Sequence, residues 1–152
     1  MNYEPLFLKS DMSLMPPSAI VHLKSCPTLG VWVDGMEFFY YLSKTYPFVD
    51  CITYTLGMQP LRLKIRHLII GTRDGLRLSY IPKCEDYCIY SNLHTKLFLG
   101  YTDPLNPVAY LGSHNLSTSQ NEELMIRVTD AQQTQFLYNY FDELWSNSKH
   151  KP

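Results

Sequence analysis

Short apolar segments rich in β-branched and aromatic residues, cut at intervals by glycine, proline and asparagine, run through most of this chain and commit it to a sheet. Residues 30–33 read as a short strand ending at the turn Asp34-Gly35. Residues 49–56 read as a buried strand closed by Gly57, and 76–81, 87–90, 95–100, 108–111 and 122–128 as further strands, with a loop at 82–86. Between them the period changes. Met36, Phe39, Tyr40, Leu42 and Ser43 recur at helical spacing up to Tyr46-Pro47, and Leu61, Ile65, Leu68 and Ile69 do so across 59–70. A closing helix at 131–145 places Phe136, Leu137, Tyr140, Phe141 and Leu144 on one face. The expected class is α/β, a mixed β-sheet flanked by helices.

At 152 residues the chain can bury about two-thirds of the surface its unfolded form exposes, which suits one domain without staples. Residues 1–28, with prolines at 5, 16, 17 and 27 and no clear period, are expected to form an N-terminal arm with at most one short strand, at 20–23. Residues 29–148 are then the domain proper. No stretch approaches the ~20 apolar residues of a membrane helix, and Glu4, Lys9 and Asp11 interrupt any signal-peptide core. A cytoplasmic protein without stable membrane association is expected. Thirteen Lys and Arg against fourteen Asp and Glu give a formal charge of −1, so an anionic partner must be gripped by a local patch. Of the four cysteines, at 26, 51, 84 and 88, only the last two are close. Four zinc ligands are not assembled, and reduced thiols are expected.

Chemistry concentrates between positions 93 and 128. His94 and Lys96 stand two apart at the start of a strand, so both side chains leave the same face. Gly112-Ser113-His114-Asn115 follows another strand, its glycine suited to a tight turn, and Asn121, Glu122 and Glu123 come next. An imidazole, an ammonium, a hydroxyl and an amide together suit a phosphodiester. Lys96 and Asn115 can hold the non-bridging oxygens, Ser113 can hydrogen-bond, and His94 can attack phosphorus. Each residue alone has an ordinary reading as a turn former or a solvated charge. What points to a site is three elements in order within a short span. His22-Leu23-Lys24 has the first spacing with no Gly-Ser-x-Asn behind it and reads as a decoy, and His114 reads as a pocket-lining residue.

In these residues the chain resembles the phospholipase D superfamily. That signature is His-x-Lys, usually an Asp with four residues between it and the lysine, then Gly-Ser-x-Asn and a later Glu. His94-Thr95-Lys96, Gly112-Ser113-His114-Asn115 and Asn121-Glu122-Glu123 match the three elements, and the resemblance covers positions 93–128. Tyr101 stands where Asp is usual, with Asp103 the nearest acid. Nuclease branches of the superfamily tolerate that absence, so it weakens a lipid-enzyme reading more than a nuclease one. The resemblance implies a phospholipase D-like catalytic domain at 29–148 with no metal and no cofactor, lysines taking a metal's role. It also implies that Glu123, and after it Glu122, orients the imidazole. Superfamily enzymes place two histidines on opposite sides of phosphorus, from two copies of the motif. This chain has one copy, so a homodimer with a composite active site on its axis is expected.

The expected substrate is DNA, with RNA as the alternative nucleic acid. Arg62, Lys64, Arg66 and His67 on one side of the expected 59–70 helix, with Arg73, Arg77 and Lys83, are the candidate phosphate-tracking patch. A solvated helix face is the equal alternative. Two further readings stay open: a phospholipid phosphodiesterase, for which the chain shows no amphipathic basic anchor, and a catalytically silent binding or inhibitor protein, for which Tyr101 speaks.

Overall fold

A computed structural model describes residues 24–57, 63–71, 84–117 and 123–148. The strand expected at 76–81 and the arm up to residue 23 lie outside the described residues. After a 3-10 turn at Pro27–Leu29 come β1 (Val31–Trp32), α1 (Gly35–Thr45), β2 (Phe48–Thr53), β3 (Ile65–Ile70), β4 (Cys84–Ile89), β5 (Leu97–Tyr101), β6 (Val108–Gly112), β7 (Met125–Arg127) and α2 (Ala131–Ser148). The strands form one sheet in the order β1-β7-β6-β5-β2-β3-β4. β2, β3 and β4 are parallel, while β5, β6, β7 and β1 pair antiparallel outward from β2. The class is α/β with a mixed sheet, as expected.

The central strands β2 and β5 are covered on both faces, which is why they read as apolar runs rather than as alternations. On one face, Phe38, Phe39 and Leu42 of α1 pack with Trp32, Phe98 and Tyr110. On the other, Phe141 and Trp145 of α2 pack with Ile52, Leu99 and Tyr101. Asp34 starts α1 by accepting from the backbone N–H of Met36 at 2.7 Å and of Glu37 at 3.1 Å, a cap worth about 1 kcal/mol. Both helices bury a stripe rotated from the expected one. Met36 and Tyr40 are exposed in α1, and Phe136 is 70% exposed in α2. Phe136 precedes Phe141 by five residues, which turns it ~140° from the buried side.

The expected helix at 59–70 is corrected: residues 65–70 are β3, and 58–62 lie outside the described residues. The helical spacing has a physical origin in the strand. Val49 pairs with Ile65 and Cys51 with Leu68, so β3 carries one residue more than β2 over that span, a β-bulge. The extra residue brings Ile65 and Leu68, three apart, onto the same face. At the bulge, the buried carboxylate of Asp50 accepts from the backbone N–H of His67 at 3.2 Å and from Arg66 Nε at 3.0 Å and Nη2 at 2.6 Å. The Arg66 guanidinium also lies over the rings of Phe48 and Tyr101, at 4.6 and 4.7 Å from their centroids. One acid thus satisfies the ladder donor that the bulge displaces.

β4 begins at Cys84, where a loop was expected, because it pairs with β3 from Ile65 onward and shares the same irregularity. Cys84 therefore packs on the α1 face and Cys88 on the α2 face, so the two thiols do not converge. No described helix is long and apolar enough to cross a membrane.

Candidate active site

Antiparallel pairing decides which chain ends meet. Ile52 of β2 stands opposite Leu97 of β5, Leu97 opposite Leu111 of β6, and Leu111 opposite Ile126 of β7. The residues just after β2, before β5, after β6 and before β7 therefore share one end of the sheet. Those are Tyr54, then His94 and Lys96, then Ser113 and Asn115, then Glu123.

His94 is exposed, and its Nδ1 lies 2.9 Å from Lys96 Nζ. Its ring rests against that of Tyr54, with centroids 4.2 Å apart and planes at 35°. Lys96 Nζ lies 5.7 Å from the Tyr54 centroid. Burial pulls the Lys96 ammonium below its usual value, and the Glu123 carboxylate opposes that pull. An ammonium can only donate, so Nδ1 accepts, and the proton of the neutral imidazole sits on Nε2. Gly71, just past β3, makes the arrangement possible: a side chain there would run into the Leu93 carbonyl and stand 3.3 Å from Tyr54 Cα.

Asn115 is tied to the end of β2. Its Oδ1 accepts from the backbone N–H of Tyr54 at 3.1 Å and of Thr55 at 3.2 Å, with Thr53 Oγ1 at 3.3 Å. Thr53 Oγ1 in turn accepts from the Leu116 N–H at 2.9 Å. The Asn115 carbonyl is thereby spent on structure, and its amide Nδ2 is the part left to offer hydrogen bonds. Gly112 is the last residue of β6 rather than part of a turn. Ser113 Oγ donates to Glu123 and accepts from the Leu124 N–H at 3.0 Å. The single hydroxyl proton of Ser113 is thus committed to the carboxylate, and Glu123 is held by Ser113 rather than by the imidazole.

His114, between these two, is buried against Phe39 at 5.2 Å between centroids. A methyl group on Gly35 would land on its Nε2, so this ring is packed onto the start of α1.

The basic residues of the expected patch are placed differently. Lys64 and Arg66 lie at the start of β3, the opposite end of the sheet from His94. Lys64 is exposed, whereas Arg66 is engaged by Asp50 and two aromatic rings rather than standing free on a helix face. His67 stacks on Trp145 at 4.5 Å. Arg62, Arg73, Arg77, Lys83 and Glu122 lie outside the described residues. Tyr101 is buried and stacked on Phe48, five residues and about 17 Å along β5 from Lys96. The missing Asp therefore changes the far end of the sheet, where Asp50 of β2 supplies an acid. Among the described residues no three His, Cys, Asp or Glu side chains are grouped to hold a metal ion. Tyr54 was not singled out from the sequence, where it sits inside the apolar run 49–56. β2 stops one residue before it, and only the pairing of β2 with β5 shows what it meets.

Burial pushes the His67 and His114 imidazoles below the ordinary value of 6.5. Below pH 6.5 the unfolded chain takes up protons that the folded chain refuses, so falling pH favours unfolding. The melting temperature should drop between pH 7 and pH 5. Scanning calorimetry across that interval checks this, and a flat profile would contradict it.

No family model matches the chain, and no curated protein does. Among solved structures it is similar to NucT from Helicobacter pylori, with a TM-score of 0.57 and 13% identity over 78% of this chain and 95% of that one. At that identity the likeness concerns the fold alone.

Proposed function

We propose that this chain is a metal-independent phosphodiesterase that cleaves DNA or RNA through a phosphohistidine intermediate, in an active site shared by the two subunits of a homodimer. The observation that carries the reading is the meeting of His94, Lys96, Asn115 and the Ser113–Glu123 pair at one end of the sheet, from three separate strand termini. The fold shared with NucT, a nuclease of the phospholipase D family, supports it at a coarser level.

The tautomer orders the steps. With Nδ1 accepting from Lys96, the neutral ring holds its one proton on Nε2, and giving that proton up would leave an imidazolate, so the copy that protonates the leaving oxygen enters the step as imidazolium. To attack phosphorus, Nε2 must instead present its lone pair, which requires the ring proton on Nδ1 and Lys96 turned away. A phosphate oxygen drawing the Lys96 ammonium to itself makes that change on the attacking side. The Nε2–P bond then forms and the P–O bond breaks, and His94 of the partner subunit, as imidazolium, gives its Nε2 proton to the leaving oxygen. Water next attacks phosphorus, its proton going to that same His94, and the P–N bond breaks. Lys96 and the Asn115 amide hold the non-bridging oxygens, and Glu123 balances the positive charge collected at the site.

Incubating purified protein with plasmid, single-stranded DNA, RNA and a chromogenic phosphodiester, all in EDTA, tests the reading alongside light scattering. The expected result is cleavage in EDTA by a dimer. A strict monomer, or a dimer inert on every substrate, would overturn it, and the second outcome would favour a silent binding protein.

A further inference from the structure

We propose that Tyr54 is a positioning residue that holds the His94 imidazole in its working orientation, and this rests on the reading of His94 as the nucleophile. His94 is exposed, and an exposed side chain left to itself samples several rotamers. Among the described contacts of its ring, only Tyr54, at 4.2 Å, and Lys96, at 2.9 Å, restrain it. Lys96 is a long chain that must itself move to meet a phosphate, so it cannot be the fixed reference. Tyr54 can. Its backbone N–H is bound by Asn115 Oδ1, and its Cα lies beside Gly71, where the Leu93 carbonyl just before His94 passes. The backbones that carry the two rings therefore both pack against Gly71.

Tyr54 also joins parts of the signature that the sequence keeps apart. Its ring meets His94 and underlies Lys96, and its backbone meets Asn115. The electron-rich face of the Tyr54 ring also attracts the Lys96 ammonium, 5.7 Å from its centroid. The phenol oxygen takes no part in any of these contacts, so the ring alone carries the role.

The test compares wild type, Tyr54→Phe and Tyr54→Leu by kcat and KM on bis(p-nitrophenyl) phosphate, by melting temperature, and by the side-chain proton resonances of His94. Tyr54→Leu should lose roughly tenfold to a hundredfold in kcat, with KM little changed. Tyr54→Phe should recover most of that loss. The His94 ring protons should show a ring-current displacement in wild type and Tyr54→Phe that vanishes in Tyr54→Leu. Full turnover in Tyr54→Leu, or an equal loss in Tyr54→Phe, would overturn the proposal. So would wild-type His94 protons at free-histidine positions, a measurement that decides the matter even if Tyr54→Leu fails to fold. If wild type shows the displacement but no phosphodiesterase activity, the functional reading fails and takes with it the working role assigned to Tyr54.

Discussion

Replacing His94 with alanine should abolish turnover, by roughly 10³-fold or more, while leaving the melting temperature almost where it was. The two halves of that expectation have separate grounds. Among the described residues at the sheet end, the imidazole is the one group able both to attack phosphorus and to move a proton, so none of the others can substitute for it. It is also exposed, and its removal opens no cavity and strands no buried donor, which limits the stability cost to about 0.5 kcal/mol. Mixing adds a sharper reading. If each active site needs an imidazole from both subunits, equal co-expression of wild type and His94→Ala leaves about one quarter of the activity, since only dimers with two intact copies work. Independent sites would leave about one half of it. A His94→Ala protein that still cleaves in EDTA would end the mechanism, and a value of one half would end the shared site.

The second large effect is a contrast at Asn115. Asn115→Asp keeps an oxygen for the N–H groups of Tyr54 and Thr55, so the tie between the two strand ends survives. It removes the amide donor and sets a negative charge where a phosphate oxygen belongs. Loss of one such donor typically costs on the order of 10² to 10³ in kcat, and the added repulsion deepens the loss. Asn115→Leu should behave otherwise, since it leaves the Tyr54 and Thr55 donors without their acceptor, at about 1–3 kcal/mol for each one that water cannot reach. Asp should thus give a folded, inactive protein, and Leu a destabilised one. Urea titration beside the chromogenic assay separates them. An active Asn115→Asp protein would show that the amide holds no substrate oxygen.

Much of this architecture can be read before any coordinates, and the gaps have physical causes. β2, β5 and β6 are interior strands whose residues meet neighbours on both sides, so their composition announces them. The Tyr46-Pro47 step closes α1 for the local reasons that a sequence shows, whereas Asp34-Gly35, which reads as a turn, supplies the cap of that helix. β3 is misread because a bulge puts Ile65 and Leu68 three apart on one face, imitating a helix, and the bulge depends on Asp50, which lies in another strand. The helix faces are misjudged because apolar content does not say which side the sheet occupies, and Phe136 stays in water. At the site, the His-x-Lys and Gly-Ser-x-Asn elements draw the eye to His94, Lys96, Ser113 and Asn115. The structure adds what each of them holds: Asn115 spends its carbonyl on β2, and Ser113 spends its proton on Glu123. Neither tie can be deduced from spacing: Asn115 reaches the end of another strand, 61 positions back at Tyr54, and the Ser113–Glu123 bond depends on how β6 pairs with β7.

The bulge shared by β3 and β4 has a consequence for how this chain can change length. Both strands depart from regular alternation at the same level, so their side chains stay in phase only while they carry matching numbers of residues there. Deleting or inserting one residue in either strand alone would turn its remaining side chains inside out, and in β3 it would also pull the displaced donor off Asp50. That margin of the domain should tolerate substitution far better than a change in residue count. At the opposite margin, β1 and β7 span two and three residues, and there a lengthened or shortened connection disturbs little pairing.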